Sequence, residues 1–331
     1  MALATSAGVG TALVIDDAPA VQASTSLDLP DVDLAFEGRT ARWVQDENQR
    51  EGTTDWRLDP GKARGIEVFA DAVSGVRGDA VTMFVSTSAR RFHVRAYRLG
   101  WYGGDGGRLV WVSSSLTGNR QPAPLVESRT GMVEADWTPS LTVRITADFV
   151  PGVYLFKVVG SDGEQVHVPF VVRDDSRRHA YLLLDAATAR AAASTGRAWS
   201  FDRPVDPADV VRDELPVIAL AESLGLDVAY AADVDLHRHG VALERHGVAV
   251  VLGRDGHWSS GMRRWLQGKS VVLLGPAAPT RDVRFEDSPV GFDRRMVDSG
   301  PSLAPPPAGP RVARVDRRDL RAVAGALQAA S

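Results

Sequence analysis

The heptapeptide Gly253 to Ser259, GRDGHWS, sets an arginine, an aspartate and a histidine directly after the apolar run VAVVL. Imidazole titrates near neutral pH and a neighbouring carboxylate can orient it, so His257 and Asp255 are candidates for proton transfer, and Arg254 is placed to hold an anionic group. A second stretch, SFDRPV from Ser200 to Val205, supplies Asp202 and Arg203. These two either point an acid and a cation into a crevice or form a buried ion pair that holds a loop. Taken as a site, Asp202 joins His257 and Asp255 in catalysis, while Arg203, Trp199 and Trp258 join Arg254 in binding substrate. The competing reading has His257 and Trp258 capping a sheet and packing on the next helix.

Other candidates carry less. His237 and His239 are two residues apart, which in a strand puts both on one face, a spacing that zinc sites use. With His246 and His257 they make a local cluster, but DLHRHGVALERHG reads as polar linker and helix surface, so solvated histidines are expected and no metal. Glu214, just before Pro216, is expected to favour the positive end of a helix dipole. The glycines of GWYGGDGG lie between strand patterns and open no helix, which makes them a tight hairpin and not a phosphate cradle. The chain has no cysteine, which excludes disulfides, thiolate nucleophiles and Cys-ligated metal sites.

The elements that must position these residues fall into two textures. From Gly65 to Arg173 come seven short runs, GIEVFAD, GDAVTMFVST, FHVRAYRLGW, GRLVWVSSS, SLTVRITADF, GVYLFKVVG and VHVPFVVRD. Several alternate apolar and polar residues, with turn residues in the gaps, and together they predict an immunoglobulin-like antiparallel β-sandwich. After RDDSRRHA the texture changes: the continuous apolar strands AYLLLDA, DVAYA, VAVVLG and SVVLLG alternate with the helical patterns ELPVIALAESLGL and SSGMRRWLQG. That alternation predicts a flavodoxin-like or Rossmann-like parallel α/β layer, whose ligand crevice lies at the carboxyl ends of its strands, where GRDGHWS and GPAAPTRD begin. The expected division is a flexible leader over 1–40, a β-sandwich with an N-terminal arm over 41–175, an α/β domain over 176–300, and a Pro-rich linker with a final amphipathic helix over 301–331.

The balance of 38 basic against 42 acidic residues, a net charge of -4, leaves no surplus for a phosphate backbone, so no nucleic-acid partner is expected. No apolar run approaches the roughly 20 residues of a membrane helix. The first 23 residues contain a short apolar run, but Asp16 and Asp17 interrupt it and no basic residue precedes Arg39, which favours a leader over a secretory signal and a cytoplasmic location. The expected partner is a small molecule; self-association stays open.

Read in order, DENQREGTTDW, RLGWYGGDGGRLV, DWTPSLTV, VPGVYLFKV, VPFVVRDD, SFDRPV, LGLDVAYAADVDLH and GRDGHWS resemble the motif series of the large (beta) subunit of N,N-dimethylformamidase. The resemblance implies an immunoglobulin-like sandwich followed by a glutamine-amidotransferase-like α/β domain, and an amide hydrolase with a mononuclear iron held by two tyrosines and a glutamate. At the opening heptapeptide the family's pattern is similar to Gly-His-Asp-Glu-Tyr-Trp-Ser. Here Arg254 stands for the His, Gly256 for the metal-binding Glu and His257 for the Tyr, and the segment before SFDRP, ATARAAASTGRAW, has no tyrosine. A hard ferric site needs anionic oxygen donors, so the expectation is a shortened relative without the inherited iron and without a cofactor. Either its crevice is remodelled for another small-molecule reaction, or the protein keeps the fold as a non-catalytic binding or scaffold protein.

Overall fold

The computed structural model describes residues 26–30, 38–62, 65–192, 196–253, 257–274, 281–301, 309 and 311–331. Arg254 and Asp255 lie outside them, as do most of the expected leader and of the Pro-rich stretch. The chain is a mixed α/β structure with antiparallel and parallel sheets.

All seven alternating runs form strands. Ile66–Ala70, Ala80–Thr87 and Leu141–Arg144 make a three-stranded antiparallel sheet. Arg91–Leu99, Gly107–Val112, Gly152–Gly160 and Gln165–Val172 make the body of a second sheet. The two face each other across one apolar cluster, in which Val81, Met83 and Val143 meet Val94, Phe156 and Phe170. The second sheet is also covered on its other face, where Tyr97, Leu99, Val153, Leu155 and Val171 belong to the cluster that contains the parallel sheet. This explains why Gly152–Gly160 is buried almost throughout and not at every other residue.

The parallel sheet has the order Val228–Ala232, Tyr181–Asp185, Val248–Val251, Val271–Leu274, Val312–Val315, every pair parallel. Counted along the chain this is 2-1-3-4-5, so the topology switches direction beside the first strand, Tyr181–Asp185. Crevices of doubly wound sheets open at that point. The last strand was not foreseen in the sequence, where 301–331 read as linker and helix. The helix is there, Leu320–Ala330, and buries Val323, Ala324 and Leu327.

A further small sheet was also missed. Ala198–Ser200, Arg295–Pro301, Arg281–Glu286 and His257–Trp258 pair in that order. Its signal was in RDVRFE, which buries Val283 and Phe285 while the residues between them stay outside.

Buried ion pairs join the β layers to the parallel sheet. Arg98 and Glu222, both fully buried, pair at 2.5 Å, and Tyr230 donates to the same carboxylate at 2.5 Å. Tyr102 completes the group by donating to Glu47 and accepting from Arg98. The motif RLGWYGG is therefore an interlayer lock as well as a turn. Arg173 and Ser74 both donate to Asp235, at 3.0 and 2.7 Å.

Candidate functional site

The strand Tyr181–Asp185 is apolar for four residues and then ends on a carboxylate. Asp185 accepts two hydrogen bonds from one guanidinium nitrogen of Arg190, at 2.6 and 2.5 Å, across the first turn of helix Ala187–Ala191. Arg190 also reaches Asp209 at 3.1 Å and Glu214 at 3.4 Å. One buried guanidinium thus faces three carboxyl groups. Such an excess of acid is relieved by protonation: burial and the charge of Asp185 push the Glu214 carboxyl far above the usual carboxylate range, so that it keeps its proton and can donate it to Asp185. Asp233, at the end of the neighbouring strand Val228–Ala232, accepts from the Thr188 backbone N–H at 3.0 Å and from the Thr188 hydroxyl; burial pushes it up to about 7.

This cluster opens onto a small cleft of about 50 Å³ between the layers, walled by Val68, Phe201 and Val205, with Asp185, Arg190 and Arg203 among its lining. Arg203 donates to the Ala191 carbonyl at 2.7 Å, which fixes its guanidinium at the rim. Gly253, the first residue of the opening heptapeptide, rests on Ala186 so closely that a Cβ there would collide with the Ala186 methyl, and it would stand 3.5 Å from Glu214. The heptapeptide therefore begins against the acid cluster.

The residues singled out in the sequence are dispersed. Asp202 is fully buried; it accepts from Arg294 Nε at 2.7 Å and from the Ser288 hydroxyl. Both its oxygens are occupied, and its ion-pair partner is Arg294, not Arg203. Trp258 is fully buried and packs in the core; Trp199, on the strand Ala198–Ser200, is 4% exposed. Neither offers a face to a ligand as expected of binding residues. His257 stands edge-on to Trp199 with ring centroids 4.6 Å apart, and burial lowers its pKa. Glu214 does stand at the start of the helix Leu215–Ser223, but it makes no cap hydrogen bond there and its side chain turns to Arg190 in the acid cluster. His246 is buried, stacked on His179 and pushed down to about 4, unlike the solvated residue expected.

Asp185 and Asp233 escaped notice although each is an acid that closes a continuous apolar parallel strand. The signal is the same in YLLLD and VAYAAD, an apolar run that closes on an acid.

The comparisons with known proteins bear on this arrangement. The family described as N,N-dimethylformamidase beta subunit-like, C-terminal matches residues 93–189 and 185–318. The chain belongs to this family. None of the curated proteins matches. Among solved structures, an uncharacterized protein from Bacillus anthracis str. Ames is similar at 12% identity over 40% of this chain and 91% of that one, with a TM-score of 0.20. A cycloisomaltooligosaccharide glucanotransferase from Paenibacillus sp. is similar at 13% identity over 56% of this chain and 27% of that one, with a TM-score of 0.20. Macromomycin is similar at 16% identity over 32% of this chain and 98% of that one, with a TM-score of 0.16.

The iron that this family resemblance implies needs phenolate donors; four of the five phenols of this member are hydrogen-bonded to other groups, and the fifth, Tyr97, is buried with its pKa raised by that burial. Tyr181 donates to the Leu327 carbonyl at 3.3 Å, Tyr230 to Glu222 and Tyr154 to the Val150 carbonyl at 2.8 Å. Burial raises the pKa of each, which keeps the proton on the oxygen. The residues present do not fit the group. Among the described residues no three His, Asp or Glu side chains stand together as metal ligands, and no helix is long and apolar enough to cross a membrane.

Proposed function

We propose that this dimethylformamidase-like protein is a hydrolase-type enzyme acting on a small molecule by metal-free acid–base chemistry in the cleft at the end of strand Tyr181–Asp185. The observation that carries the reading is the Asp185–Glu214 pair: two carboxyl groups share one buried site beside the Arg190 guanidinium, and burial pushes the Glu214 carboxyl well above the usual range, an arrangement that suits Glu214 to hold a proton and Asp185 to accept one. Arg190 donates to both oxygens of Asp185. For an amide substrate, Asp185 takes a proton from water as the water oxygen bonds to the carbonyl carbon, and the C–N bond breaks as that proton passes to the departing amine. Glu214 stands behind as a proton store, and Arg203 at the rim is placed for a carbonyl or carboxylate oxygen. The reading also takes the β layers, residues 41–175, as an immunoglobulin-like sandwich and residues 176–300 as an amidotransferase-like domain, the cleft lying between them.

The test is amine release from a panel of small carboxamides by chelator-treated protein, with Asp185→Asn and Glu214→Gln as controls. Turnover insensitive to chelation and reduced about 10²-fold or more in both variants supports the proposal. Turnover that needs added iron, or that survives in Asp185→Asn, overturns it. A second reading, a binding or scaffold protein without chemistry, is favoured by the structural employment of Asp202. It predicts ligand-induced thermal stabilisation with no turnover.

A further inference from the structure

A second set of reactive groups lies apart from that cleft. Ser259 is the N-cap of helix Ser260–Leu266, and its Oγ accepts from the Met262 N–H at 3.3 Å. The same Oγ lies 2.8 Å from Nδ1 of His237, on the short helix Asp235–Arg238. The other ring nitrogen, Nε2, faces the Asp293 carboxylate at 4.0 Å. A carboxylate on that side favours the tautomer with the proton on Nε2, which leaves Nδ1 free to accept the serine proton. Burial lowers the His237 pKa, with Arg238 adding to the effect and Asp293 opposing it, so the ring is neutral at pH 7.

Capping a helix requires only the serine, and an ordinary cap has no histidine on its hydroxyl. The first turn of the helix carries a second sign. Gly261 lacks a side chain at the one place where it would stand over both atoms: a Cβ built there lies 3.4 Å from His237 Nδ1 and 3.6 Å from Ser259 Oγ. His237 and Gly261 both line an open cleft, together with Arg238 and Arg264. Ser259 is buried beneath His237 and Gly261, so a group entering the cleft over the bare Cα of Gly261 approaches both the hydroxyl and the base hydrogen-bonded to it. Geometry of that kind defines an activated nucleophile.

We propose that Ser259, His237 and Asp293 form a serine nucleophile site that accepts acyl groups from small activated esters, with Arg264 at the cleft wall favouring esters of anionic acids. As Oγ bonds to the carbonyl carbon, its proton passes to His237 Nδ1. The ester C–O bond then breaks and the alcohol leaves with that proton. Water, deprotonated by His237, attacks the acyl-serine and releases the acid. Asp293 is a positioning residue that sets the tautomer. The proposal does not depend on the Asp185 cleft, whose variants leave this chemistry untouched.

The test uses a fluorophosphonate probe on the full chain, followed by peptide mapping. Attack of Oγ on phosphorus expels fluoride and leaves a stable adduct. The expected result is one adduct per chain on Ser259, with the rate lowered about 10²-fold or more in His237→Gln. Gly261→Ala separates chemistry from folding. An alanine in place of a helical glycine stabilises the helix and makes only ordinary contacts here, while its methyl covers the approach to Ser259 Oγ and His237 Nδ1. It should raise or preserve the melting temperature and abolish labelling. No adduct, an adduct on another serine, or labelling that survives in His237→Gln or Gly261→Ala overturns the proposal.

Discussion

Arg294 joins Asp202 to the three-stranded sheet: its Nε donates to the Asp202 carboxylate at 2.7 Å, while its Nη2 donates to the carbonyl of Ala70, at the end of a strand of that sheet, at 2.6 Å. Both side chains are removed from water. Asp202→Ala leaves a buried guanidinium without its counter-charge, a defect that costs on the order of 3–5 kcal/mol. Denaturant unfolding should show that loss, while the folded fraction keeps its specific activity. An activity loss at unchanged stability would return Asp202 to the chemistry.

Arg98 and Glu222 offer a second case. Arg98→Met and Glu222→Gln should each destabilise strongly, because either leaves a buried charge or the Tyr230 hydroxyl without its partner. Combined, they should cost less than the sum of the two, since the double variant leaves no lone charge. Additive losses in a double-mutant cycle would mean that the pair is not coupled.

The Asp233 carboxyl predicts a pH dependence. Its folded pKa of about 7 lies above the value of about 3.9 expected in an unfolded chain. The folded state therefore binds this proton more tightly. Its contribution to stability is fully present below pH about 4 and is lost as pH rises to 7. His246, held at about 4 when folded, acts in the opposite sense, since there the unfolded chain takes the proton more readily as pH falls below about 6.5. Subtracting the Asp233→Asn melting curve from that of the parent isolates the first contribution. The variant should gain on the parent between pH 4 and 7, and parallel curves would contradict the assignment.

His257→Ala should lower stability by about 1 kcal/mol through lost packing on Trp199 and leave turnover unchanged. A fall in turnover with no change in melting temperature would show that the imidazole takes part in chemistry.

Iron content is set by the donor groups. Protein purified from iron-supplemented cells should carry well under one iron per chain by plasma mass spectrometry, because its phenols are buried in the core with their pKa values raised. Near-stoichiometric iron would require donors other than these.

The strands of this fold could be read from the chain because each carries a local sign, the alternation of GIEVFAD or the unbroken apolar run of YLLLD. Partnership at long range could not be read in the same way. The sequence offered Arg203 as the neighbour of Asp202 because it is next along the chain, but the ion pair is made with a residue 92 positions away. His237 and Ser259, 22 apart, came together for the same reason: a crossover between parallel strands returns the chain to the same end of the sheet. Asp185 and Asp233 differ, since their places at strand ends were visible without any knowledge of partners.

The strand Val312–Val315 and the helix Leu320–Ala330 close one side of the parallel sheet, and they are synthesised after its other four strands. Until they emerge from the ribosome, Val271–Leu274 is an open sheet edge, and the apolar surface that Val323, Ala324 and Leu327 will cover is bare. The nascent chain thus passes through a stage in which most of its core is made but one flank invites pairing with another copy. Translation slowed near residue 300 should favour aggregation over folding, and a chaperone that shields strand edges would act at that stage.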